Sequence, residues 1–381
     1  MVTAAAASVV AGVALLPNWS AGAAVTDDPT VDPATKATFQ RLADAVFTDR
    51  TNALVDAKSS QEKSRHQLTS GFSGKVRLSG TQSHEENSAL SELRGRQTRL
   101  AKLGEKYSAA STSVKLDATQ VKGRRATVDV TETTTLTYAK TKGNEPKTTG
   151  FQAHHELTFK ADRQGDWQLT GIRDTDDGYL AVNQVATPAV AKPQVRTDDG
   201  PPDAPRAATT WPAPAKPKSF SGTGYDYKAM AAYAQKYWNH YNPDYPDFNG
   251  EADGGDCTNF VSQSLKAGGW KHVPGDGTDF HKWFGNSEIQ SDSFVGVNEF
   301  SWFALSSKRV TSLANVYQAD IGDVLQMDFN KDGSKDHSMI VTYRSPQGVP
   351  YVTYHSTNTY NRSVASIIAS YPNAAYYAYR T

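Results

Sequence analysis

A proline-rich segment near the middle of the chain limits how this sequence can fold. Eight of the eighteen prolines lie between Pro188 and Pro217, among Ala, Lys and Asp and almost no large apolar residue. This composition is typical of an extended, semi-rigid spacer. The chain has 381 residues, which is longer than one ordinary domain of roughly 100–200 residues. The sequence therefore predicts a domain over residues 32–183, a linker over 184–224 and a second domain over 225–381.

The amino terminus and the overall charge predict where the protein acts. The apolar run Ala4 to Leu16 is followed by the small residues of positions 20–24, which is typical of a secretory signal peptide over residues 1–24. The run is shorter than the roughly 18 residues that span a membrane, so we expect a secreted protein without stable membrane insertion. Forty Lys and Arg balance forty Asp and Glu, so no nucleic-acid partner is expected. The oligomeric state stays open.

The first domain shows two kinds of hydrophobic period. Phe39, Leu42 and Val46 have helical spacing, as does a second series from Leu90 to Tyr107. From Val114 onward the period is two, which predicts antiparallel strands. The domain is therefore predicted to be α+β, and its element order resembles the NTF2-like scaffold. His154 and His155 are adjacent, so they point to opposite faces of a strand and are interpreted as solvated or packed residues.

The only cysteine lies at a predicted helix start. In GGDCTNFVSQSLKAGG, over residues 254–269, Asp256 is a suitable N-cap and Gly268 with Gly269 can end the helix. Cys257 would then be the first helical residue, where the helix dipole and free backbone N–H groups favour a thiolate and can hold an oxyanion. A lone cysteine can also be a small buried hydrophobe. The motif around it favours a nucleophile.

A base for this nucleophile is predicted on a later strand. His337 begins the alternating run HSMIVTY, and a second strand follows from Tyr351 to His355 after the turn near residues 346–348. Antiparallel pairing can bring His355 close to His337, where it would orient the imidazole. Asn358 is the alternative for that role if the register is shifted.

These motifs resemble those of a known family. GGDCTNFVSQ, IGDVLQMDFNKDGSKDHSMIVT and YHSTNTYNRS resemble the secreted proteins with a putative amidase domain, distantly related to NlpC-like and papain-like cysteine peptidases, over residues 227–381. The resemblance implies a papain-like α+β domain in which a helix-borne cysteine packs on an antiparallel sheet. It also implies that Cys257 is the nucleophile, His337 the base and His355 the residue that orients it.

An acidic loop precedes His337. Asp328, Asn330, Asp332, Ser334 and Asp336 repeat the ligand spacing of a calcium loop, but Met339 stands where an EF-hand has its final Glu. The same residues favour a tight polar turn. Calcium is therefore one of two interpretations, and the chemistry itself requires no cofactor.

We expect a secreted hydrolase that cleaves an amide bond through Cys257, with the stem peptide of peptidoglycan as a candidate substrate. Two alternatives stay open: a non-catalytic binding module, and an acyltransferase of transglutaminase-like type that passes the acyl group to an amine. The natural substrate is not indicated by any motif.

Overall fold

The computed structural model describes residues 32–56, 76–176, 181–185, 201, 204–249 and 255–381. Within them the fold is mixed α+β, as predicted, and its strands form one connected sheet of eleven. The predicted signal peptide lies outside the described residues. No described helix is both long and apolar enough to cross a membrane.

The described residues of the amino-terminal part form two helices and five strands. They are α1 (Pro33–Asn52), β1 (Val76–Leu78), α2 (Gly80–Lys102), β2 (Tyr107–Lys122), β3 (Arg125–Tyr138), β4 (Thr148–Ala161) and β5 (Trp167–Asp174). Strands β2 to β5 form an antiparallel meander, and β1 pairs in parallel with β5. Helix α1 buries Phe39, Leu42 and Val46 against this sheet, as their helical spacing predicted.

The second helix ends at Lys102, earlier than the predicted series to Tyr107. Gly104 has φ of +85°, a left-handed conformation that ends a helix and is accessible to glycine. Tyr107 therefore begins strand β2 and does not close the helical series. Its side chain is buried against Tyr138, with ring centroids 5.4 Å apart.

His155 is a packed residue with buried polar partners. Its ring nitrogens lie 2.9 Å from Oδ1 of Asp174 and 3.2 Å from Oε2 of Glu132. Burial lowers the pKa of His155, but the two carboxylates outweigh it and raise that pKa to about 9. His154, the next residue along β4, instead contacts Asp176. The two histidines therefore have separate partners, as their alternation predicted.

The described part of the proline-rich segment makes backbone and side-chain contacts with the carboxyl-terminal part. Ala207 donates its backbone N–H to the Tyr376 carbonyl at 2.7 Å, and Ala208 forms a bridge with Asn315. Farther along, Nζ of Lys218 lies 2.6 Å from Oδ1 of Asp323. The described linker residues thus lie against the carboxyl-terminal part, because their backbone groups and Lys218 find partners there.

Over the residues that the structure describes, the carboxyl-terminal part contains five α-helices and six strands. They are α3 (Tyr227–Tyr237), α4 (Cys257–Ala267), α5 (Asp292–Val295), α6 (Val297–Ser306), β6 (Thr311–Ser312), β7 (Val324–Asp328), β8 (His337–Arg344), β9 (Pro350–Tyr354), β10 (Thr359–Ser363), α7 (Val364–Ser370) and β11 (Ala375–Arg380). The strands are antiparallel in the order β10-β9-β8-β7-β11-β6. Trp270 and Trp283 are buried and pack against the rings of Phe300 and Phe303 of α6.

One pair of strands joins the two parts. Strand β10 pairs with β4, with Thr359 opposite Phe151 and Tyr360 opposite Gly150. A Cβ on Gly150 would lie 2.6 Å from the Thr134 carbonyl oxygen and from the Tyr360 ring. The absence of a side chain at Gly150 therefore lets the two parts share a continuous sheet.

Candidate active site

Cys257 occupies the first residue of α4, as predicted, and packs against strand β8. The backbone N–H of Ser338 hydrogen-bonds to its sulfur. Next to this contact, the hydroxyl oxygens of Thr258 and Ser338 are 2.9 Å apart. Ser338, the residue after His337, therefore fixes the beginning of α4 on the sheet.

The Cys257 side chain is only 1% exposed. Burial raises the pKa of its thiol to about 11, although hydrogen bonds from Ser338 and Thr258 oppose the change. The thiolate expected at a helix start is thus absent from this conformation. The free energy lost by removing the thiolate from water exceeds the stabilisation that the helix end supplies. Cys257 is held here as a neutral thiol.

Asp256 is the N-cap residue of α4, yet its side chain does not cap the helix. Its Oδ2 atom lies 2.6 Å from Nδ1 of His355, and Oδ1 accepts a hydrogen bond from Nδ2 of Asn259 at 2.7 Å. Asp256, the residue next to Cys257, is therefore joined to His355, the residue that follows β9. The capping preference of aspartate concealed this role in the sequence.

His355 is fixed on the same side of the sheet as α4. Its Nε2 donates to the Tyr237 carbonyl oxygen at 2.7 Å. Its ring lies 4.0 Å from the Phe260 ring and 4.3 Å from the Tyr241 ring, measured between centroids. Both ring nitrogens are occupied by Asp256 and Tyr237, so His355 does not orient His337 by a hydrogen bond in this conformation.

Asn358, the alternative orienting residue, is also engaged elsewhere. Its Oδ1 accepts a hydrogen bond from the Tyr241 hydroxyl at 3.2 Å. Its backbone carbonyl accepts one from the Gln152 N–H at 3.0 Å. Asn358 thus connects the β9–β10 turn to Tyr241 and to strand β4 of the amino-terminal part.

His337 begins β8 as predicted, but strand alternation places its side chain on the face of the sheet opposite α4. Met339 and Val341, two and four residues on, pack with Tyr354 and Val352 in one core cluster. Ile340 packs with Phe260 and Val261 of α4 in another. The His337 ring lies edge-on to Tyr354, with centroids 4.9 Å apart. His337 therefore faces away from α4, while its neighbour Ser338 faces the cysteine.

The environment of His337 keeps it neutral. Burial and, to a smaller extent, the positive charge of Arg362 together lower its pKa to about 3. A neutral imidazole is the form that accepts a proton. His337 therefore has the protonation state of a base but not the orientation expected for one.

The amino-terminal part reaches the loop that precedes Cys257. Asp176 Oδ1 accepts a hydrogen bond from Nδ2 of Asn249 at 2.9 Å and lies 2.8 Å from Nδ1 of His154. Burial raises the pKa of Asp247 in the same loop, and Asp256 raises it further while His355 and His154 lower it. His154 thus lies within electrostatic range of the site, which its strand pattern gave no means to predict.

The acidic loop before His337 forms a turn held by its own side chains. Asp328 Oδ2 accepts from the Gly333 N–H at 3.0 Å, Asp332 Oδ1 from the Ser334 N–H at 2.8 Å, and Asp336 Oδ2 from the Phe329 N–H at 2.7 Å. In the part of the chain that the structure describes, no group of three or more His, Cys, Asp or Glu side chains is placed to hold a metal ion.

The fold and this site together define an α+β protein in which a helix carrying a cysteine packs on an antiparallel sheet. Residues 224–379 match the model of the family described as "Putative amidase domain". This region, which is less than half of the chain, is thus similar to that family, as its motifs predicted.

Two curated relatives from Bacillus subtilis (strain 168) match about a third of the chain. "Uncharacterized protein YhbB" is 32% identical over 144 residues, which are 36% of this chain and 44% of the relative. "Uncharacterized protein YjcM" is 32% identical over 148 residues, which are 36% of this chain and 32% of the relative. The match thus spans less than half the length of either relative.

A search of solved structures matches the intermembrane space region of the chloroplast protein ARC6. The match has a TM-score of 0.22 and 16% identity, and covers 35% of this chain and 95% of that one. A similarity of this size carries no conclusion about the fold.

Proposed function

We propose that this chain is a secreted, cysteine-dependent amidase or peptidase with Cys257 as its nucleophile and a papain-like arrangement of the carboxyl-terminal domain. The observation that carries the proposal is the position of Cys257 at the first residue of a helix that packs on an antiparallel sheet. The family match over residues 224–379 supports amide hydrolysis as the reaction class.

We assign the proton transfer to His355, supported by Asp256. His355 lies on the α4 side of the sheet and contacts both Asp256 and Phe260, which flank Cys257 in the first turn. A carboxylate at Nδ1 favours the tautomer in which Nε2 can accept a proton. In this conformation Nε2 donates a proton to the Tyr237 carbonyl, so the role requires Nε2 to lose that proton and to leave the carbonyl when substrate binds. His337, the base implied by the family resemblance, is the competing assignment.

The reaction conserves its protons. The thiol proton of Cys257 passes to the histidine while sulfur attacks the amide carbonyl carbon, and backbone N–H groups of the first turn of α4 stabilise the oxyanion. The histidine returns the proton to the leaving amine as the C–N bond breaks, which leaves a thioester. Water, deprotonated by the same histidine, then releases the carboxylic acid and restores the thiol.

A neutral thiol in the resting site fits general-base catalysis. With the pKa of Cys257 at about 11, sulfur becomes nucleophilic only as its proton is removed in the transition state. The same burial means that substrate has to gain access to a closed site. Cell-wall peptide is the substrate class that we propose, because it lies outside the cell membrane, where a secreted amidase acts.

Purified cell wall and a peptide library test the proposal by mass spectrometry of the products. Cys257→Ala should abolish every new product, and the base variant should lose about 10²–10⁴-fold in rate. Comparing His355→Asn with His337→Asn assigns the base, and the exposed His281→Asn serves as the control. If neither histidine variant loses activity relative to wild type, the Cys–His mechanism is contradicted.

Two further outcomes identify the alternatives. Products that incorporate an added amine would show acyl transfer in place of hydrolysis. Identical products from wild type and Cys257→Ala, together with retained binding of the cell-wall material, would show a non-catalytic binding module.

A further inference from the structure

A cavity of about 350 Å³ lies between the two parts of the chain, away from Cys257. The amino-terminal part contributes Glu105 and Glu145, and the carboxyl-terminal part contributes Tyr351. Trp211 of the linker completes the wall and remains 38% exposed. This volume lies within the range of small-ligand sites, roughly 300–1,000 Å³.

The two carboxylates of the cavity are bonded only to uncharged donors. Glu105 Oε1 accepts from the Ser363 hydroxyl at 2.6 Å. Glu145 accepts from the Tyr351 hydroxyl at 2.9 Å and from the Lys142 backbone N–H at 2.8 Å. Among the described residues no lysine or arginine forms an ion pair with either carboxylate, and Lys106, which also lines the cavity, pairs with Asp56. Two carboxyl groups therefore share the cavity without a bonded cation.

These surroundings disfavour the ionised form of Glu105. Burial raises its pKa to about 7, and the negative charge of Glu145 raises it more than Arg362 lowers it. A carboxyl group in this state gains most from a positive charge brought into the cavity. Trp211 and Tyr351, which also line the cavity, supply apolar aromatic surface for the rest of a ligand.

The rim of the cavity carries positive charge. Lys140 and Lys142 line it and are exposed, whereas Glu105 and Glu145 are half-buried. A simple cation would be attracted by the interior and repelled at the rim. A molecule with an ammonium group at one end and a carboxylate at the other is complementary to both.

We propose that this cavity binds a small zwitterion with a free amino group and a free carboxylate, an amino acid or a short peptide. The ammonium group is placed at Glu105 and Glu145, and the carboxylate at the rim lysines Lys140 and Lys142. The site belongs to both parts of the chain, so its ligand stabilises their contact. It does not depend on the reaction proposed for Cys257.

Calorimetry with the dipeptide alanyl-alanine tests the site in the full chain carrying Cys257→Ala, which prevents turnover. The zwitterion should bind saturably, the carboxyl-amidated dipeptide should bind more weakly, and the amino-acetylated dipeptide should not bind. Glu105→Gln and Glu145→Gln should each weaken binding by about tenfold or more, the loss typical of one charge-assisted hydrogen bond. The exposed Glu85→Gln should bind like the parent.

Two readouts separate a binding role from a structural one. Glu105→Gln should melt at or above the parent near pH 8, because it removes a buried charge and its repulsion from Glu145. Binding near pH 7 should release protons, seen as a buffer-dependent heat, because the ammonium group lowers the pKa of Glu105. Equal binding of the acetylated dipeptide, or unchanged binding in both glutamine variants, would overturn the proposal.

Discussion

Asp256 Oδ2 lies 2.6 Å from Nδ1 of His355, so the residue before the cysteine is paired with a histidine 99 positions later. Both side chains are buried, at 0% and 2% exposure. The pair fixes the start of α4 against the end of β9. It is also the reason that Asp256 does not cap its own helix.

Breaking this pair should destabilise the protein strongly. Asp256→Ala or His355→Ala leaves a buried polar partner unsatisfied, which typically costs about 3–5 kcal/mol. The double variant should cost less than the sum of the single ones, as measured by urea unfolding. The exposed pair Asp279 and His281, 2.8 Å apart, is the matched control and should show no measurable coupling.

Cys257 should react slowly in the folded protein. Because burial raises the pKa of its thiol to about 11, iodoacetamide near pH 8 should modify it at least about tenfold more slowly than in urea, where an ordinary thiol pKa near 8.5 applies. Mass spectrometry of the intact chain gives the rate. Rapid modification of the folded protein would mean that the site is open in solution.

His337 should make the protein sensitive to acid. Its pKa is about 3 in the folded state and about 6.5 when unfolded. Between these values the unfolded chain binds more protons, so the free energy of unfolding decreases as the pH falls below about 6.5. The Tm of His337→Gln should vary less than that of wild type between about pH 7 and pH 4. Parallel Tm curves would contradict the buried neutral imidazole.

Gly150→Ala should weaken the junction between the two parts of the sheet. Its Cβ would lie 2.6 Å from the Thr134 carbonyl oxygen, and overpacking of this kind typically costs about 1–3 kcal/mol. Gly80→Ala is the control, because a Cβ there meets no atom within 4 Å. The Tm should fall for Gly150→Ala and be unchanged or higher for Gly80→Ala.

The acidic loop provides a test of calcium binding. Its carboxylates accept the backbone N–H groups of the turn, so we expect no change of Tm and no heat of binding when calcium is added at millimolar concentration. A rise in Tm that disappears in Asp332→Asn would show that the loop binds the ion.

Local patterns predicted many of the elements. The stripe of apolar residues and the paired glycines predicted α4, and strict alternation predicted β8 and β9, because both depend on neighbours close in sequence. The pairing of β4 with β10 could not be predicted in the same way. It joins Phe151 to Thr359, and each strand's own pattern is compatible with several partners.

The histidines show where prediction of the site stopped. Alternation indicated that His337 and Ser338 face opposite sides of β8, but not which side α4 would cover. The fold places Ser338 against Cys257 and His337 against Tyr354. It also places His355, expected to assist another histidine, beside Asp256.

The sequence by itself determined that Cys257 begins a helix, since the residues that start and end α4 are its own neighbours. The tertiary structure alone decided that this cysteine is a neutral thiol, that Asp256 pairs with His355 and that His337 is turned away. Ionisation and partner choice depend on which distant residues exclude water from a group, and that is settled only when the chain has packed.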